Sequence, residues 1–552
     1  MTPTVGPAAA ADEAEASPLA WLQDFERSHG RPLRVLHIGN IANNAYLNAT
    51  FLRRAGIDCH VLCYDYYDPM ATPEWENAEG GRPKWFVQGP QGLCVQYLHA
   101  LLDGRHISRI ALWVRLGLAR TLLTDEVAHH KGTRFVQRMN TVRLEVQRSI
   151  YLGVLRLLSA ATYRVNYVRA WTWSLSRWAV RRAARAVGFD WPEPVPPGDL
   201  QAPASDPVIP DVPASSLPTD DHRRYDFRRY EAMQLFAERF PTRPDRLAPA
   251  DFAILSNLPF WGALLDRYDV VQCYATAPIM ALLTATRPYV AFEHGTLRDF
   301  TLGDSALHRL NALAYREADH VFITNGDCLA YAERLGIERY SPMIHPIDVD
   351  RHEAPCPEEV AAIRQRIGAD VILFCPIRHD WAVKGTDVHL RALPEIVAGT
   401  SGSVRLVLCE WGAELPASRA LIEELGMADH VVWLPPQDRQ GLITNMKAAA
   451  AVLDQMALPH FGATAPQAIA AGTPVVMSYE PARTEWIVDE PAPILAAFDP
   501  AGVARAVATA LDPAWRADFE ERAHAWSQGQ HHPRRLVLEH CRVYRRLIEG
   551  NG

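Results

Sequence analysis

Short apolar runs alternate with amphipathic stretches along much of the chain. The first run, LRVLHIG, spans residues 33–39, and a loop with the sequence GNIANN begins at its last residue. Residues 45–56 have helical spacing and end in a glycine, and residues 57–68 return to a strand pattern. A strand, a loop, a helix and a second strand in this order predict the opening of a doubly wound parallel sheet.

Further strand-like runs fall into two groups, with helical stretches between most of them. The first group comprises YDVVQCYA (268–275), PYVAFEHG (288–295) and ADHVFITN (318–325). The second group comprises DVILFCPIR (370–378), SVRLVLCE (403–410), HVVWLPP (430–436), AAVLDQM (450–456) and TPVVMSY (473–479). Two alternating groups in one chain predict an α/β protein of two Rossmann-like domains that face a central cleft.

The segments around these groups set the predicted domain plan. We expect a disordered tail over 1–17, an N-terminal domain over 18–350, a C-terminal domain over 351–524 and a final amphipathic helix over 525–552 that packs back on the N-terminal domain. Within the N-terminal domain, residues 95–190 predict a helical insertion rich in Arg and Trp. Nine prolines within residues 191–220 predict a linker, because proline removes a backbone donor and favours an extended chain.

Composition narrows the class of protein. The 552 residues carry a net charge of −8, which gives no reason to expect that the chain as a whole binds nucleic acid. The nine cysteines form no CxxC pair and are typical of reduced thiols. The N-terminus has neither the basic residues nor the apolar run of a signal peptide, and no uninterrupted apolar stretch reaches about 18 residues. These features predict a cytoplasmic protein.

One region differs from the chain as a whole in its charge. Residues 105–185 contain sixteen Arg or Lys and only three acidic residues, a local charge of +13. Basic residues interspersed with Trp and Leu at helical spacing are typical of helices on an anionic membrane surface. Peripheral attachment at the inner face of the membrane is therefore one prediction. Helices packed on the domain with a solvated Arg face, or a protein-contact surface, are the open alternatives.

The loop after the first strand carries candidate ligand contacts. At that position backbone N–H groups point towards an anion or a hydroxyl-rich ligand. Gly39 permits close approach to the backbone, and Asn43 and Asn44 offer side-chain amides. The alternative is a tight turn in which the asparagines cap the following helix.

A cluster of polar residues follows the strand that ends in FEHGTLRD. Ligands of open α/β sheets bind outside the carboxyl ends of the strands. His294 can donate a hydrogen bond there to a sugar hydroxyl or to charge that develops near the reacting centre. Glu293, Arg298 and Asp299 stand beside it. The cluster favours a functional site over a structural histidine.

The C-terminal half offers two candidate anion sites. In PIRHDWAVKG, Arg378 and Lys384 follow a strand, and two fixed cations there suit a diphosphate that leaves with negative charge. A solvated basic loop is the alternative. In FGATAPQAIAAGTPVV, Gly462, Thr464 and Gln467 belong to a turn that runs into a helix N-terminus, which also favours an anion.

Together these motifs resemble the glycogen-synthase-like retaining glycosyltransferases of the GT-B architecture, known as glycosyltransferase family 4. The resemblance is clearest over residues 368–512, where RHDWAVKG is similar to the family's Arg…Lys-Gly phosphate loop. In the same region, HFGATAPQAIAAGTPVV is similar to the stretch E-G-F-G-x4-E-A-M-A-x-G-x-P-V-V. In the N-terminal half, DVVQCYATAP and FEHG resemble elements of the donor cleft, and PIDVDRHE resembles an interdomain Asn-Gly-Val-Asp stretch.

The resemblance implies an enzyme that moves a sugar from a nucleoside diphosphate sugar to a saccharide or lipid-linked acceptor, as in polysaccharide biosynthesis. It also implies retention of configuration and no requirement for a metal or other cofactor. The implied site has Arg378 and Lys384 on the diphosphate, the backbone of Phe461, Gly462 and Ala463 on the sugar, Thr464 near the phosphates, Gln467 on the ribose, His294 at the reacting centre, and Gly39 with Asn40 on the phosphate side.

The sequence departs from the family at one pair of positions. The family has two glutamates separated by seven residues, and the register places Pro459 at the first and Gln467 at the second. An amide can bond ribose hydroxyls, whereas proline offers no carboxylate to the sugar. The adjacent His460 is a candidate substitute. A catalytically degenerate nucleotide-binding or scaffold protein is therefore the main alternative, and a nucleotide-sugar epimerase is a further one.

Overall fold

The computed structural model describes residues 7–62, 222–254, 265–299 and 301–550, together with Glu76 and Gly262. The predicted helical insertion (95–190), the proline-rich linker (191–220) and the basic region (105–185) lie outside these residues. The chain divides into two compact units, of which the first comprises residues 1–88, 214–252 and 257–552 and the second the remainder. All the strands described below belong to the first unit.

The N-terminal lobe is built on a parallel six-stranded sheet of order β2-β1-β3-β4-β5-β6. Its strands are β1 Arg34–Ile38, β2 Asp58–Leu62, β3 Val270–Tyr274, β4 Tyr289–Phe292, β5 His320–Ile323 and β6 Tyr340–Pro342. Every residue of β3, β4 and β5 is buried. Such uniformly buried strands are expected where helices cover both faces of a parallel sheet.

The C-terminal lobe is built on a second parallel sheet of six strands, in the order β12-β11-β10-β7-β8-β9. Its strands are β7 Val371–Cys375, β8 Val404–Cys409, β9 Val431–Leu434, β10 Ala451–Leu453, β11 Val475–Met477 and β12 Leu495–Ala496. The chain therefore contains two doubly wound sheets, which is the GT-B arrangement predicted from the sequence.

Helices connect the strands in both lobes. In and around the N-terminal lobe they are α1 Pro7–His29, α2 Asn44–Arg54, α3 His222–Arg239, α4 Pro278–Thr284, α5 Thr296–Asp299, α6 Ala306–Arg316, α7 Leu329–Leu335 and α8 Val349–Glu353. Further along the chain they are α9 Pro357–Ile367, α10 Trp381–Lys384, α11 Thr386–Gly399, α12 Leu415–Glu424, α13 Arg439–Ala448, α14 Thr464–Ala470, α15 Pro500–Ala510, α16 Pro513–Trp526 and α17 Pro533–Ile548. Within the described residues, no helix combines the length and the apolar content needed to cross a membrane.

The final helix, α17, returns to the N-terminal lobe. The Tyr544 hydroxyl donates to Oε1 of Gln272 at 2.5 Å, and Nε2 of His540 lies 3.1 Å from Nε2 of the same glutamine. Gln272 lies in β3, in the middle of the N-terminal sheet. Because these side chains are buried, the polar contacts fix the position of the helix as well as its packing.

The first helix corrects a prediction from the sequence. Helix α1 begins at Pro7, so residues 7–17 of the tail predicted to be disordered are helical. Alanine and glutamate, which dominate that stretch, are strong helix formers. Further along the same helix, Trp21, Leu22 and Phe25 are buried, and their packing supplies the tertiary stabilisation that a short helix needs.

Candidate functional site

His294 lies at the carboxyl end of β4, in the turn that precedes α5. The amide nitrogen of Asn44 lies 2.9 Å from its Nδ1. Because an amide nitrogen can only donate, Nδ1 accepts and the ring proton of the neutral imidazole is on Nε2. Desolvation, with the nearby cations Lys384 and Arg298, lowers the pKa of His294 to about 4. At neutral pH the side chain is therefore an uncharged hydrogen-bond donor.

The loop after β1 is held together by its own asparagines. Gly39 has a φ of 85°, a conformation that favours glycine. Nδ2 of Asn40 donates to Oδ1 of Asn43 at 2.6 Å, and Oδ1 of Asn40 accepts from the backbone N–H of Tyr46 at 3.0 Å. Asn44 reaches across to His294. The structure thus brings this loop to the predicted catalytic histidine, while ligand contact by Gly39 and the asparagines stays a prediction.

Arg378 and Lys384 flank a single helical turn instead of lying in an open loop. The N-cap of α10 is Asp380, whose Oδ1 accepts from the backbone N–H of Val383 at 3.0 Å. Oδ2 of the same carboxylate accepts from Nε of Arg378, also at 3.0 Å. The Arg378 side chain is 41% exposed, so its guanidinium remains accessible to a ligand.

Lys384 is the more enclosed of the two cations. Its Nζ donates to Oε1 of Gln455 at 2.6 Å. Burial lowers the pKa of Lys384, and the carboxylate of Asp454 acts in the opposite direction. Gln455 and Asp454 follow β10 directly and are buried. The sequence interpretation did not single them out, although their position after a strand would have justified it.

The turn after β8 fixes the backbone between the two cations. The backbone N–H of His379 donates to the carbonyl of Trp411 at 2.8 Å, and the N–H of Glu414 donates to the carbonyl of His379 at 3.0 Å. Trp411 also donates from Nε1 to the carbonyl of Pro376 at 2.9 Å. A Cβ at Gly412 would lie 2.4 Å from the backbone nitrogen of His379. Only glycine permits this close packing, which holds Arg378 in place before any ligand arrives.

The glycine-containing turn before α14 leaves space beside its backbone. A Cβ at Gly462 would meet no atom within 4 Å. Helix α14 begins at Thr464, and Ala463 at its N-cap makes no side-chain hydrogen bond to the first turn. Gln467 lies within this helix and is buried. The ring of Phe461 packs within an aromatic cluster formed with Tyr479, Trp526 and His531.

Arg298 is engaged with the protein itself. Its Nη1 donates to Oδ2 of Asp327 at 2.5 Å, and its Nε donates to Oδ1 of Asp299 at 3.1 Å. Oδ1 of Asp327 lies 3.4 Å from Nε2 of His460. The predicted substitute for the missing carboxylate at Pro459 is thus in contact with the N-terminal lobe. Asp327 was missed in the sequence, although it follows the end of β5.

A second ion pair joins Glu76, which follows β2 in the chain, to the C-terminal lobe. The carboxylate of Glu76 accepts from Nε and Nη2 of Arg439, in α13, at 2.9 and 2.6 Å. Nδ2 of Asn43 lies 3.4 Å from Oε1 of the same carboxylate. Both charged side chains are buried, and the guanidinium holds the pKa of Glu76 below its usual value despite that burial. No sequence pattern had marked either residue.

Among the residues that the structure describes, no group of three or more His, Cys, Asp or Glu is placed to hold a metal ion.

Residues 365–528 match the family model described as glycosyl transferases group 1. This segment contains the whole C-terminal sheet, Arg378, Lys384 and the turn before α14. The C-terminal lobe is thus similar in sequence to this family. It is the lobe for which the sequence resemblance was clearest.

Curated relatives match about a third of the chain. The chain is 31% identical over 176 residues to the D-inositol 3-phosphate glycosyltransferase of Acidothermus cellulolyticus, covering 30% of this chain and 39% of that protein. It is 32% identical over 199 residues to D-inositol 3-phosphate glycosyltransferase 2 of Catenulispora acidiphila, covering 34% of this chain and 45% of that protein. The matched segments thus span less than half the length of these relatives.

Solved structures resemble the chain more broadly and at lower identity. The Anabaena protein Alr3699/HepE, in complex with UDP and glucose, is 18% identical, with 52% of this chain and 82% of that chain covered at a TM-score of 0.44. The sucrose-phosphate synthase of Thermosynechococcus elongatus is also 18% identical, with 53% and 78% covered at a TM-score of 0.42.

Proposed function

We propose that this protein is a glycosyltransferase that moves a sugar from a nucleoside diphosphate sugar to a saccharide or lipid-linked acceptor. The observation that carries the proposal is the meeting of the two carboxyl edges: His460 of the C-terminal lobe lies 3.4 Å from Asp327, which pairs with Arg298. At the same edges, burial and the charge of Lys384 together lower the pKa of His294. The family match of the C-terminal lobe supports the same reaction.

The cations have a defined part in this reaction. When the bond from the sugar to the diphosphate breaks, negative charge develops on the leaving oxygen. Arg378 and Lys384 stabilise that charge, and both are already held in place by Asp380 and Gln455.

The neutral His294 has a different part. Its Nε2–H donates a hydrogen bond to a sugar hydroxyl near the reacting carbon, while Asn44 holds the opposite nitrogen. Retention of the anomeric configuration and independence from metal ions belong to the proposal and rest on the family resemblance. NMR of the product anomer tests the first, and activity in the presence of a chelator tests the second.

The proposal includes binding of the protein to an anionic membrane surface, where a lipid-linked acceptor would lie. The sixteen basic residues within 105–185 support it, because each basic residue near an anionic leaflet contributes about 1 kcal/mol. Co-sedimentation with vesicles of anionic and of neutral phospholipid tests this part. Binding that is equal for both vesicles, or absent for both, contradicts it.

Turnover is tested by the release of nucleoside diphosphate from a panel of uridine, guanosine and adenosine diphosphate sugars, with and without a mixture of candidate acceptors. The proposal expects one nucleotide family to be used and release to accelerate with acceptor. A panel that is bound by the protein but never turned over would refute the transfer reaction.

Nucleotide binding without turnover defines the second candidate function, a catalytically degenerate binding or scaffold protein. The proline at position 459 favours it, because no carboxylate stands there to contact the sugar. His460, the neighbouring side chain, faces Asp327. The same panel therefore separates the two candidates.

A further inference from the structure

Glu293, the residue before His294, is buried in the N-terminal lobe and takes no part in the proposed transfer. Its side chain receives three hydrogen-bond donors. Oε1 accepts from the backbone N–H of Gly295 and from Sγ of Cys328, the latter at 3.1 Å, and Oε2 accepts from Nδ2 of Asn325 at 3.2 Å. A charged group with this burial is costly unless it serves several partners at once.

The three donors come from two different turns. Gly295 belongs to the turn after β4, which carries His294 and leads to Arg298. Asn325 and Cys328 belong to the turn after β5, which carries Asp327. In addition, the hydroxyl of Thr324 donates to the carbonyl of Glu293 at 2.9 Å. Both turns lie at the carboxyl edge of the same parallel sheet, so a single carboxylate ties together the residues that this lobe presents to the other.

The geometry leaves little room for the turn to rearrange by itself. Gly295 has a φ of 82°, and a Cβ there would lie 2.9 Å from Nη2 of Arg298. The arginine is held in turn by Asp327. The positions of Gly295, Arg298 and Asp327 are thus mutually dependent, and the Glu293 carboxylate holds the backbone N–H of Gly295, the residue after His294.

We infer that Glu293 is a positioning residue for His294: its ionised carboxylate fixes the two turns, and loss of that charge releases the imidazole from its working position. The inference rests on the proposed transfer reaction for its kinetic readout. All three contacts are donations to the carboxyl oxygens, so the ionised form satisfies them together, whereas a protonated or amide side chain brings a hydrogen of its own against these donors.

The carboxyl group of Glu293 changes its protonation state near neutral pH. Burial raises the pKa of Glu293 to about 7, with Asp327 acting in the same direction and Cys328, Asn325 and Gly295 acting against it. Tyr315, from α6, faces the carboxylate as well, and burial raises its pKa far above neutrality. His294 titrates near pH 4. Among these groups, Glu293 is therefore the one that changes charge near pH 7.

The kinetic test compares wild type with Glu293→Gln from pH 6 to 8.5, by nucleoside diphosphate release. For wild type we expect kcat to rise with pH through an acid limb near 7. For Glu293→Gln we expect no such limb, kcat about tenfold below wild type at pH 8.5, and an unchanged KM for the donor. Glu333→Gln, an exposed carboxyl on α7, is the matched control and is expected to keep the wild-type profile.

A second pair of variants makes the assignment specific. Cys328→Ala removes one donor to the carboxylate and is expected to move the acid limb to higher pH, whereas Cys328→Ser keeps a donor and is expected to leave it in place. A purely structural role predicts lower activity with the limb unmoved. An acid limb that persists near pH 7 in Glu293→Gln overturns the inference.

A readout without turnover separates this inference from the transfer reaction. In protein labelled with 15N-histidine, the imidazole resonances of His294 are identified by their loss in His294→Ala. We expect these resonances to shift as pH passes through 7 in wild type and to stay constant in Glu293→Gln. If no nucleotide sugar is turned over but this shift is seen, the proposed function fails and the positioning role stands. Constant His294 resonances in wild type overturn the positioning role.

Discussion

The two lobes share one topology but present different chemistry at the carboxyl edges of their sheets. On the N-terminal side, Glu293 and Arg298 are satisfied by neighbours in the same lobe, and His294 is uncharged at neutral pH. On the C-terminal side, Arg378 and Lys384 are cations held ready by single partners, next to an open glycine turn. The first edge is a fixed polar framework, and the second is the anion site that we propose.

Because of this difference, we expect the two edges to have different functions although the lobes share a fold. A site that must hold a diphosphate needs cations that a ligand can reach, and the Arg378 side chain is 41% exposed although it pairs with Asp380. A side chain that must donate to a neutral hydroxyl needs a fixed direction and a known tautomer, which the contact with Asn44 supplies. Substitutions on the N-terminal edge should therefore change turnover, and those on the C-terminal edge should change donor binding.

The largest expected effect on the N-terminal edge is that of His294→Ala. Removing a hydrogen bond made to the reacting sugar typically costs about 10²–10³ in rate. We expect kcat to fall by about that factor while the Kd for the nucleoside diphosphate changes by less than about threefold, because the Arg378 and Lys384 contacts are intact. Single-turnover kinetics and isothermal titration calorimetry measure the two quantities. An equal loss in kcat and in affinity for the nucleoside diphosphate would contradict the separation of turnover and donor binding between the two lobes.

The buried carboxyl on the same edge has an expected effect on stability that depends on pH. Because the pKa of Glu293 is raised from 4.5 to about 7 in the folded protein, the folded state holds a proton that the unfolded state has lost within that window. The unfolding free energy of wild type relative to Glu293→Gln should therefore fall by about 1.4 kcal/mol per pH unit between these values and stay level above them. Urea unfolding at several pH values measures it, and a rise with pH in that window contradicts it.

The smallest expected effect is at a point where the lobes touch. A Cβ at Gly326, which follows β5, would lie 2.0 Å from the carbonyl oxygen of Arg483 in the C-terminal lobe. Gly326→Ala should force the two lobes apart locally and reduce kcat about tenfold, since overpacking of this kind costs about 1–3 kcal/mol. Gly529→Ala, where a Cβ meets no atom within 4 Å, is the control. Equal kcat values in the two variants would show that this contact is unimportant for turnover.

Much of the fold could be predicted because its core strands are short, predominantly apolar runs bounded by polar residues. All strands from β1 to β5 and from β7 to β11 lie within runs identified in the sequence. The edge strands β6 and β12 have only three and two residues and are partly exposed, so no hydrophobic pattern marks them. Helix α1 was missed because its first half is Ala-rich and polar and shows no apolar pattern, and its buried residues, Trp21, Leu22 and Phe25, come only in the second half.

The candidate site could be predicted only from the rule that ligands of parallel sheets bind outside the carboxyl ends of the strands. That rule identified His294, Arg378 and Lys384, because each follows the end of a predicted strand. It says nothing about partners, so the contact between Asn44 and His294, separated by 250 positions, could not be foreseen. The ion pair between Arg298 and Asp327 could not be foreseen either, and contact of Arg298 with a substrate stays a prediction. Pairings of this kind depend on side-chain directions that a single sequence does not encode in any local pattern.

The central claim is that the C-terminal edge binds a nucleoside diphosphate through Arg378 and Lys384. Isothermal titration calorimetry of the full chain with UDP, GDP and ADP tests it most directly. We expect one nucleotide to bind, and Arg378→Ala combined with Lys384→Ala to weaken it at least about 100-fold, since each charge-assisted contact contributes about 1.5–3 kcal/mol. Arg366→Ala with Arg391→Ala, which removes the same charge from exposed sites, should bind like wild type. Equal affinity in wild type and in the Arg378/Lys384 variant would contradict the account.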